Sequence, residues 1–237
     1  MVNSLKFVFI HFSTKAQAMR TLLYFLTVGI LLGNTVIGQD NQNKKSKKSI
    51  GLGLKAGLNF SNVSNASSIN ASHSAGFMVG GFFSPGSGGK KVMGYRSEII
   101  FSRQGYDFES GSATGTVSLN YILLPQLTTI NISKFFQFQL GAQMAFLLNA
   151  KADSSKTSAT NNPYAPMMDY YNRFDYGAAA GIEINPVKGL LIGARYNLSL
   201  ANLYKSNFES GEPSFIPHGN SVDLKNNVVQ IFAGYRF

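Results

Sequence analysis

The chain of 237 residues contains no cysteine and no tryptophan, and only 14% of its residues are charged. Without cysteine it can form no disulfide and no thiolate metal site, and it cannot carry a lipid on an N-terminal cysteine. A soluble domain typically carries about 25% Asp, Glu, Lys and Arg. The deficit indicates that much of the surface of this protein does not face water.

The start of the chain has the pattern of a secretory signal peptide, which we assign to residues 1–38. After Met19, the basic Arg20 precedes a compact apolar stretch and then small or modest residues up to Gly38. The apolar stretch falls well short of the roughly 20 residues that a membrane-spanning helix needs. We therefore expect cleavage after Gly38 rather than a transmembrane anchor, with Met1 and Met19 as alternative starts.

The formal net charge is +10, but the basic residues do not form a nucleic-acid site. The densest basic run, NKKSKKS, lies in residues 39–49, which we interpret as a polar, basic periplasmic linker. The other basic residues occur singly, with no basic helix and no recognisable binding module. We expect no nucleic-acid partner.

Beyond the linker, apolar and polar residues alternate with the period of two that is typical of β-strands. The pattern is cleanest in IGLGLKAGLNF, where Leu52 and Leu54 alternate with Gly53 and Lys55. The alternation predicts eight strands. They are Ile50–Phe60, Ala75–Phe83, Val92–Gln104, Val117–Ile130, Phe135–Asn149, Arg173–Asn185, Leu190–Leu203 and a last strand that ends at Phe237.

The predicted connections alternate in length. Short turns join strands 2 and 3, 4 and 5, and 6 and 7, whereas longer polar loops join the other consecutive pairs. These loops are Ser61–Ser74, Gly105–Thr116, Ala150–Asn172 and Tyr204–Leu224. Short turns at one rim and long loops at the other are typical of bacterial outer-membrane barrels, in which the short turns and both termini are periplasmic.

The composition of the two strand faces favours a membrane barrel over a soluble one. The polar face carries mostly Gly, Gln, Asn and Ser, which suit a narrow interior, and the apolar face is rich in Phe, Leu, Ile and Tyr. We predict an all-β fold, an eight-stranded antiparallel up-and-down transmembrane β-barrel over residues 50–237, in the outer membrane and in contact with its lipid. A soluble lipocalin-like ligand-binding barrel is the alternative.

Charged residues on the predicted inward faces point to a network of ionic and amide side chains that plugs the lumen, because an unpaired buried charge would cost several kcal/mol. We expect Arg96, Glu98, Glu183 and Arg195 to form its core. The other inward charges, Lys55, Asp175 and Arg236, either join the network or reach water near a rim. A proton or ion path is the alternative function for the same residues.

Several segments resemble the porin-like outer-membrane β-barrel family of Bacteroidetes that includes PorT. They are GLKAGLNFSNV (53–63), YRSEIIFSRQGY (95–106), LNYILLPQL (119–127), QLGAQMAFLL (139–148) and ARYNLSLANL (194–203). The resemblance covers essentially the whole mature chain and concerns strand patterns, so it implies fold more than activity. It implies that Tyr235 and Phe237 belong to the signal read by the barrel-assembly machinery. The same two residues would also suit an aromatic girdle facing lipid.

No motif identifies a reaction, so we expect a non-enzymatic protein without cofactor or metal. Its expected role is in membrane integrity, in adhesion, or as an accessory of a secretion system such as the type IX system. An enzyme with a site at His73 and His218, with Asp169 or Ser74 nearby, is the alternative.

The loop between strands 5 and 6 is the expected contact surface for secretion-system or extracellular partners. Tyr164, Tyr170 and Tyr171 in this loop offer amphipathic side chains for such contacts.

Overall fold

The computed structural model describes residues 50–64, 71–85, 92–110, 113–154, 167–205 and 224–237. The predicted signal peptide and linker, residues 1–49, lie outside the described residues. Eight strands are present among the described residues, together with a short 3₁₀ helix at Met167–Asp169. The strands are β1 (Ile50–Ser64), β2 (Ser72–Pro85), β3 (Met93–Ser110), β4 (Ala113–Asn131), β5 (Phe136–Ser154), β6 (Phe174–Ile184), β7 (Leu190–Ser199) and β8 (Lys225–Arg236).

The eight strands form one closed antiparallel barrel in sequence order. Each strand pairs with the next one along the chain, and β1 closes the ring on β8 from Gly53 opposite Arg236 to Ser64 opposite Lys225. Because β1 and β8 are paired over this range, the sheet has no unpaired edge strand there. The predicted fold is confirmed.

Apolar side chains cover the outside of the barrel. On β1, Leu54 and Leu58 are 59% and 56% exposed, whereas the residue that follows each of them, Lys55 and Asn59, is buried. Exposed Phe, Leu or Ile side chains occur on every strand except β4, whose outward Ile122 is half-buried. A soluble ligand-binding barrel would bury the apolar face and expose the polar one, so that interpretation does not fit.

Strands β3 and β4 extend well beyond the predicted segments. The expected loop Gly105–Thr116 is wrong, because β3 continues to Ser110 and pairs with β4 from Ala113 onward. The extension is held by side chains that alternate inward, since Tyr106 and Phe108 are both buried. A sheet of β3, β4 and β5 therefore projects at the loop end beyond the shorter strands β6 to β8.

A bulge shifts the face alternation of β5. Asn120 of β4 pairs with Asn149, but the next residue, Tyr121, pairs with Leu147, so Leu148 is an extra residue on β5. A strict period of two from Gln137 would place Asn149 on the inward face, but the shift buries Ala150 instead.

Glycine is required at two positions that shape the barrel. Gly189, in the turn between β6 and β7, has a φ of 87°, which side chains rarely adopt. Its carbonyl accepts a hydrogen bond from the backbone N–H of Arg236 at 2.7 Å. Inside the barrel, a Cβ on Gly53 would lie 2.2 Å from the Phe82 ring, so glycine makes room for that phenylalanine.

Candidate functional site

The lumen contains five charged side chains that are almost entirely shielded from water. Lys55 comes from β1, Arg96 and Glu98 from β3, Glu183 from β6 and Arg195 from β7, and none is more than 2% exposed. The period of two brings each side chain to the inner face of its own strand, and barrel closure brings the four strands around one interior. A cluster of charges is thereby assembled from positions far apart in sequence.

Glu98 is the centre of the first half of this cluster. Its Oε2 atom lies 2.6 Å from Lys55 Nζ and 2.6 Å from one terminal guanidinium nitrogen of Arg195. The other terminal nitrogen of Arg195 donates to Glu98 Oε1 at 3.0 Å, so the arginine–carboxylate pair is bidentate. One carboxylate therefore holds two cations across the lumen.

Glu183 is the centre of the second half. Arg96 donates to both of its carboxylate oxygens, at 2.5 and 3.1 Å, and Arg236 approaches Oε1 at 3.5 Å. The Arg236 side chain is 25% exposed, which places it at the edge of the cluster nearest the short turns. Glu183 is thus paired bidentately with one buried arginine and more loosely with a second.

Gln139 joins the two halves. Its side-chain oxygen accepts a hydrogen bond from Arg195 at 2.6 Å, and its amide nitrogen donates to Glu183 at 2.8 Å. Gln137 on the same strand accepts from Arg96 at 3.2 Å. The sequence predicted amides in the network and placed both glutamines on the polar face of strand 5, but it did not identify these two as its members.

Two aromatic rings lie against the cations. Lys55 Nζ is 4.3 Å from the centroid of the Phe232 ring, and the Arg96 guanidinium is 4.6 Å from that of Phe82. Cation–π attraction of this kind is strongest where water is excluded. Four cations, Lys55, Arg96, Arg195 and Arg236, share two carboxylates in this cluster, so the rings help to stabilise the excess positive charge.

Asp175 is not part of this network. Its Oδ1 atom accepts a hydrogen bond from Ser199 Oγ at 2.7 Å, and it lines a small cavity nearer the loop end. Polar amides from Gln143, Asn197 and Asn226 also line this cavity, whose volume of about 10 Å³ corresponds to one water molecule. The predicted inward charges thus occupy two separate levels of the lumen.

Three tyrosines close the loop end of the interior. The hydroxyl of Tyr106 hydrogen-bonds to those of Tyr171, at 3.0 Å, and Tyr204, and the last two lie 3.3 Å apart. Tyr171 and Tyr204 also form a backbone bridge outside the eight strands. Burial raises the pKa of the Tyr204 hydroxyl to about 12, so it stays protonated and can donate at neutral pH.

The three tyrosines predicted to contact partners, Tyr164, Tyr170 and Tyr171, do not form one exposed surface among the described residues. Tyr171 is buried, so its ring cannot serve as a contact surface, and that prediction is corrected. Tyr170 is partly buried against the same apolar cluster. Tyr164 lies outside the described residues. The sequence showed no signal that Tyr171 would fold inward, because its partners come from β3 (Tyr106) and from the connection after β7 (Tyr204).

The C-terminal aromatics point outward. Tyr235 and Phe237 are exposed, with their ring centroids 5.7 Å apart. The backbone N–H of Phe237 donates to the carbonyl of Leu52 at 2.9 Å, so the last residue is tied to β1. This end of the chain is part of the sheet.

The predicted histidine site is only partly described. His73 is exposed on β2, and His218 lies outside the described residues. Ser74 is adjacent to His73 in the strand, and adjacent strand residues project to opposite faces, so the two are not arranged as nucleophile and base. No group of His, Cys, Asp or Glu residues suited to a metal ion occurs among the described residues.

Within the described part of the chain, no helix has the length and apolar character needed to cross a membrane. Residues 37–205 match the model of the family described as outer membrane protein beta-barrel domain. Comparison with curated protein sequences gave no match.

Three bacterial proteins are among the solved structures with a similar fold. Ail, the attachment invasion locus protein of Yersinia pestis, is 16% identical with a TM-score of 0.44, over 80% of this chain and 99% of that one. OprG from Pseudomonas aeruginosa is 12% identical with a TM-score of 0.43, over 82% and 99%. Neisserial surface protein A is 12% identical with a TM-score of 0.42, over 78% and 97%.

Proposed function

The chain belongs to the family of outer membrane protein beta-barrel domains, and from that premise we propose that it is a closed, non-enzymatic barrel of the outer membrane. Its lumen is sealed by the ionic network. The sheet of β3, β4 and β5 that projects at the loop end is its surface for contacts outside the cell. The turn end, with both termini, faces the periplasm. The single observation that carries this proposal is the chain of buried ion pairs across the lumen.

The network supports a sealed lumen because its members reach across from opposite walls. Glu98 on β3 is bonded to Lys55 on β1 and to Arg195 on β7, and Gln139 on β5 connects this group to Glu183 on β6. An eight-stranded barrel has an interior just wide enough for side chains to fill. An ion that passed would have to break several charge-assisted hydrogen bonds at once.

Conductance measurements test the seal. The wild-type protein in planar lipid bilayers should show no steady conductance steps, whereas the Arg96→Ala/Arg195→Ala variant should conduct because two large side chains are removed from the lumen. The variant Arg103→Ala/Lys151→Ala removes the same charge from exposed positions and should stay closed. Heat-modifiable gel migration checks that each variant is folded. Discrete ohmic steps from the wild-type protein would refute the sealed lumen.

The projecting sheet supports a role at the cell surface. On β3 the outward apolar residues end at Phe101, and the strand continues to Ser110. At about 3.3 Å per residue, this segment is about 30 Å long along the strand, and a strand tilt of about 35–45° reduces its height above the apolar zone to roughly 20–25 Å. Such a surface suits a role in membrane integrity, in adhesion or as an accessory of a secretion system. The resemblance to the PorT-containing family favours the secretion accessory.

A gene deletion in the native host separates these roles. Loss of type IX cargo from the medium, with unchanged resistance to detergent, would support the secretion accessory. Loss of detergent resistance with normal secretion would support a role in integrity, and loss of surface attachment alone would support adhesion.

We also propose that Tyr235 and Phe237 present the assembly signal of β8. The Phe237→Ala variant should accumulate severalfold less folded barrel in the outer membrane, because the machinery reads the terminal aromatic. Tyr196→Ala removes an equally outward aromatic from β7 and should assemble normally. Quantitative gel migration of outer-membrane fractions measures both. Equal losses in the two variants would mean that lipid contact, not recognition, is the role of Phe237.

A further inference from the structure

A polar and basic patch interrupts the outer surface of the barrel just beyond its apolar zone. We define the basic patch as Arg103, Ser118, Asn120 and Lys151, on β3, β4 and β5. The pairing Phe101–Ile122–Phe146 is the last row that is apolar on all three strands, and Arg103 pairs with Asn120 in the next row. On β5 the exposed Leu148 of the bulge follows this row. In the row above, Ser118 pairs with Lys151. The patch therefore borders the surface that faces hydrocarbon.

The two cations of the basic patch flank the same serine. A terminal guanidinium nitrogen of Arg103 donates to Ser118 Oγ at 3.3 Å, and Lys151 is the cross-strand partner of Ser118. Arg103 and Lys151 are both exposed. A guanidinium, a hydroxyl and an ammonium thus line one short stretch of outward surface.

A bulge aims Lys151 outward, and regular alternation aims Arg103 outward. On β5, inward residues have odd numbers up to Leu147, and the bulge at Leu148 turns the next odd positions, including Lys151, outward. On β3 the alternation is unbroken, so Arg103 shares the outward face of Ile99 and Phe101, and its carbonyl accepts a hydrogen bond from the buried Asn59 side chain at 2.9 Å. Bulges that re-aim a side chain commonly mark functional positions.

The charges are ordered by height above the apolar zone. Asp107 and Glu109 stand on the same outward face of β3 but farther from the apolar rows, where Asp107 accepts a hydrogen bond from Thr116 at 2.6 Å. The cations therefore lie between the apolar surface and the acids. A lipid headgroup phosphate occupies this level when its acyl chains cover the apolar surface below.

We propose that the basic patch binds the phosphate of a phosphorylated glycolipid in the outer leaflet of the membrane. Arg103 supplies planar, paired donors that match phosphate oxygens, and Lys151 supplies a point charge. Ser118 and Asn120 add neutral hydrogen-bonding groups. A ligand with both acyl chains and phosphate matches the combined apolar and basic surface, whereas a free anion would use only the upper part. The inference rests on the proposed orientation, with the loop end outward.

The test is binding of fluorescent bis-phosphorylated lipid A to the purified barrel in detergent micelles. Each basic residue near an anionic lipid surface raises affinity about fivefold, so Arg103→Gln/Lys151→Gln should weaken binding roughly 30-fold. The matched control is Lys134→Gln/Lys188→Gln, which removes two exposed lysines from the turn end and should leave affinity unchanged. Equal affinity of the wild type and the Arg103→Gln/Lys151→Gln variant would overturn the proposal.

Two further arms identify the source of the phosphate. Dephosphorylated lipid A should bind the wild type as weakly as the phosphorylated form binds the double variant. Inorganic phosphate at millimolar concentration should not displace the labelled lipid, and displacement would overturn the lipid assignment in favour of a free anion.

Failure of lipid binding can be distinguished from failure of the sealed lumen and from failure of the proposed orientation. Conductance of the same wild-type preparation reports the seal of the lumen independently of lipid binding. An impermeant thiol reagent applied to whole cells carrying Glu109→Cys reports orientation. Labelling only after the outer membrane is permeabilised would refute the orientation, and with it the outer-leaflet ligand, even if phosphate binding persisted in micelles.

Discussion

Replacing Glu98 by Gln should lower the free energy of unfolding by about 3–5 kcal/mol, because it leaves buried cations without their counter-charge. Lys55 and Arg195 would lose the carboxylate that both contact at 2.6 Å. The amide keeps the size of the side chain, so the loss reports charge rather than packing. The midpoint of urea unfolding in lipid vesicles, followed by heat-modifiable gel migration, measures the change.

The matched control for this change is Glu109→Gln. Glu109 lies on the same strand but is exposed, so its neutralisation should shift the unfolding midpoint little. Adding Lys55→Met to Glu98→Gln should recover part of the lost stability, since it removes one of the two stranded cations. An unchanged midpoint for Glu98→Gln would show that the lumen cations find water or other partners, and the sealed network would then be wrong.

Placing an arginine on the outward face of β5 should be the second most damaging change. Leu140 is 59% exposed on this face, within an apolar run from Phe136 to Leu148. An arginine on the lipid face near the bilayer midplane costs about 2–4 kcal/mol, falling to about 0–1 near the interfaces. Leu140→Arg should therefore lower the free energy of unfolding in vesicles by roughly 2–4 kcal/mol.

Asn149→Arg provides the comparison on the same strand. Asn149 pairs with Asn120 at the level of the basic patch, where an added arginine should cost less than about 1 kcal/mol. Vesicle unfolding curves of the two variants give the difference directly. Equal stability of Leu140→Arg and the wild type would place Leu140 in water or against protein rather than in lipid.

Alternation of residue types predicted the faces of the strands but not the contacts inside the barrel. Arg96 and Glu98 are two residues apart, so the sequence alone predicts that they share a face. Their partners could not be read in this way, since Arg96 pairs with Glu183 and Glu98 with Arg195 across the ring. The residues of two strands that lie at the same height in the barrel are set by the register of strand pairing. Register is a property of the assembled sheet and cannot be read from one strand alone.

The upper part of the barrel was harder to predict for a different reason. The segment YDFES alternates Tyr106 and Phe108 with acids, but its polar residues favoured a loop over a strand that extends beyond the membrane. Tyr171 follows a long polar connection, and its hydroxyl partners come from β3 and from the connection after β7. The extra residue at Leu148 is likewise invisible to a strict period of two.

The central claim is that the apolar outer face contacts hydrocarbon. Because the chain has no cysteine, single cysteines can be introduced at the outward Leu58, the inward Ser102 and the exposed Glu109, and labelled with a fluorophore in lipid vesicles. Bromine on the lipid acyl chains should quench the label at residue 58 strongly and leave the label at residue 109 unquenched, with residue 102 inaccessible to the reagent. Quenching of residue 58 by aqueous iodide, with no effect of brominated lipid, would contradict the account.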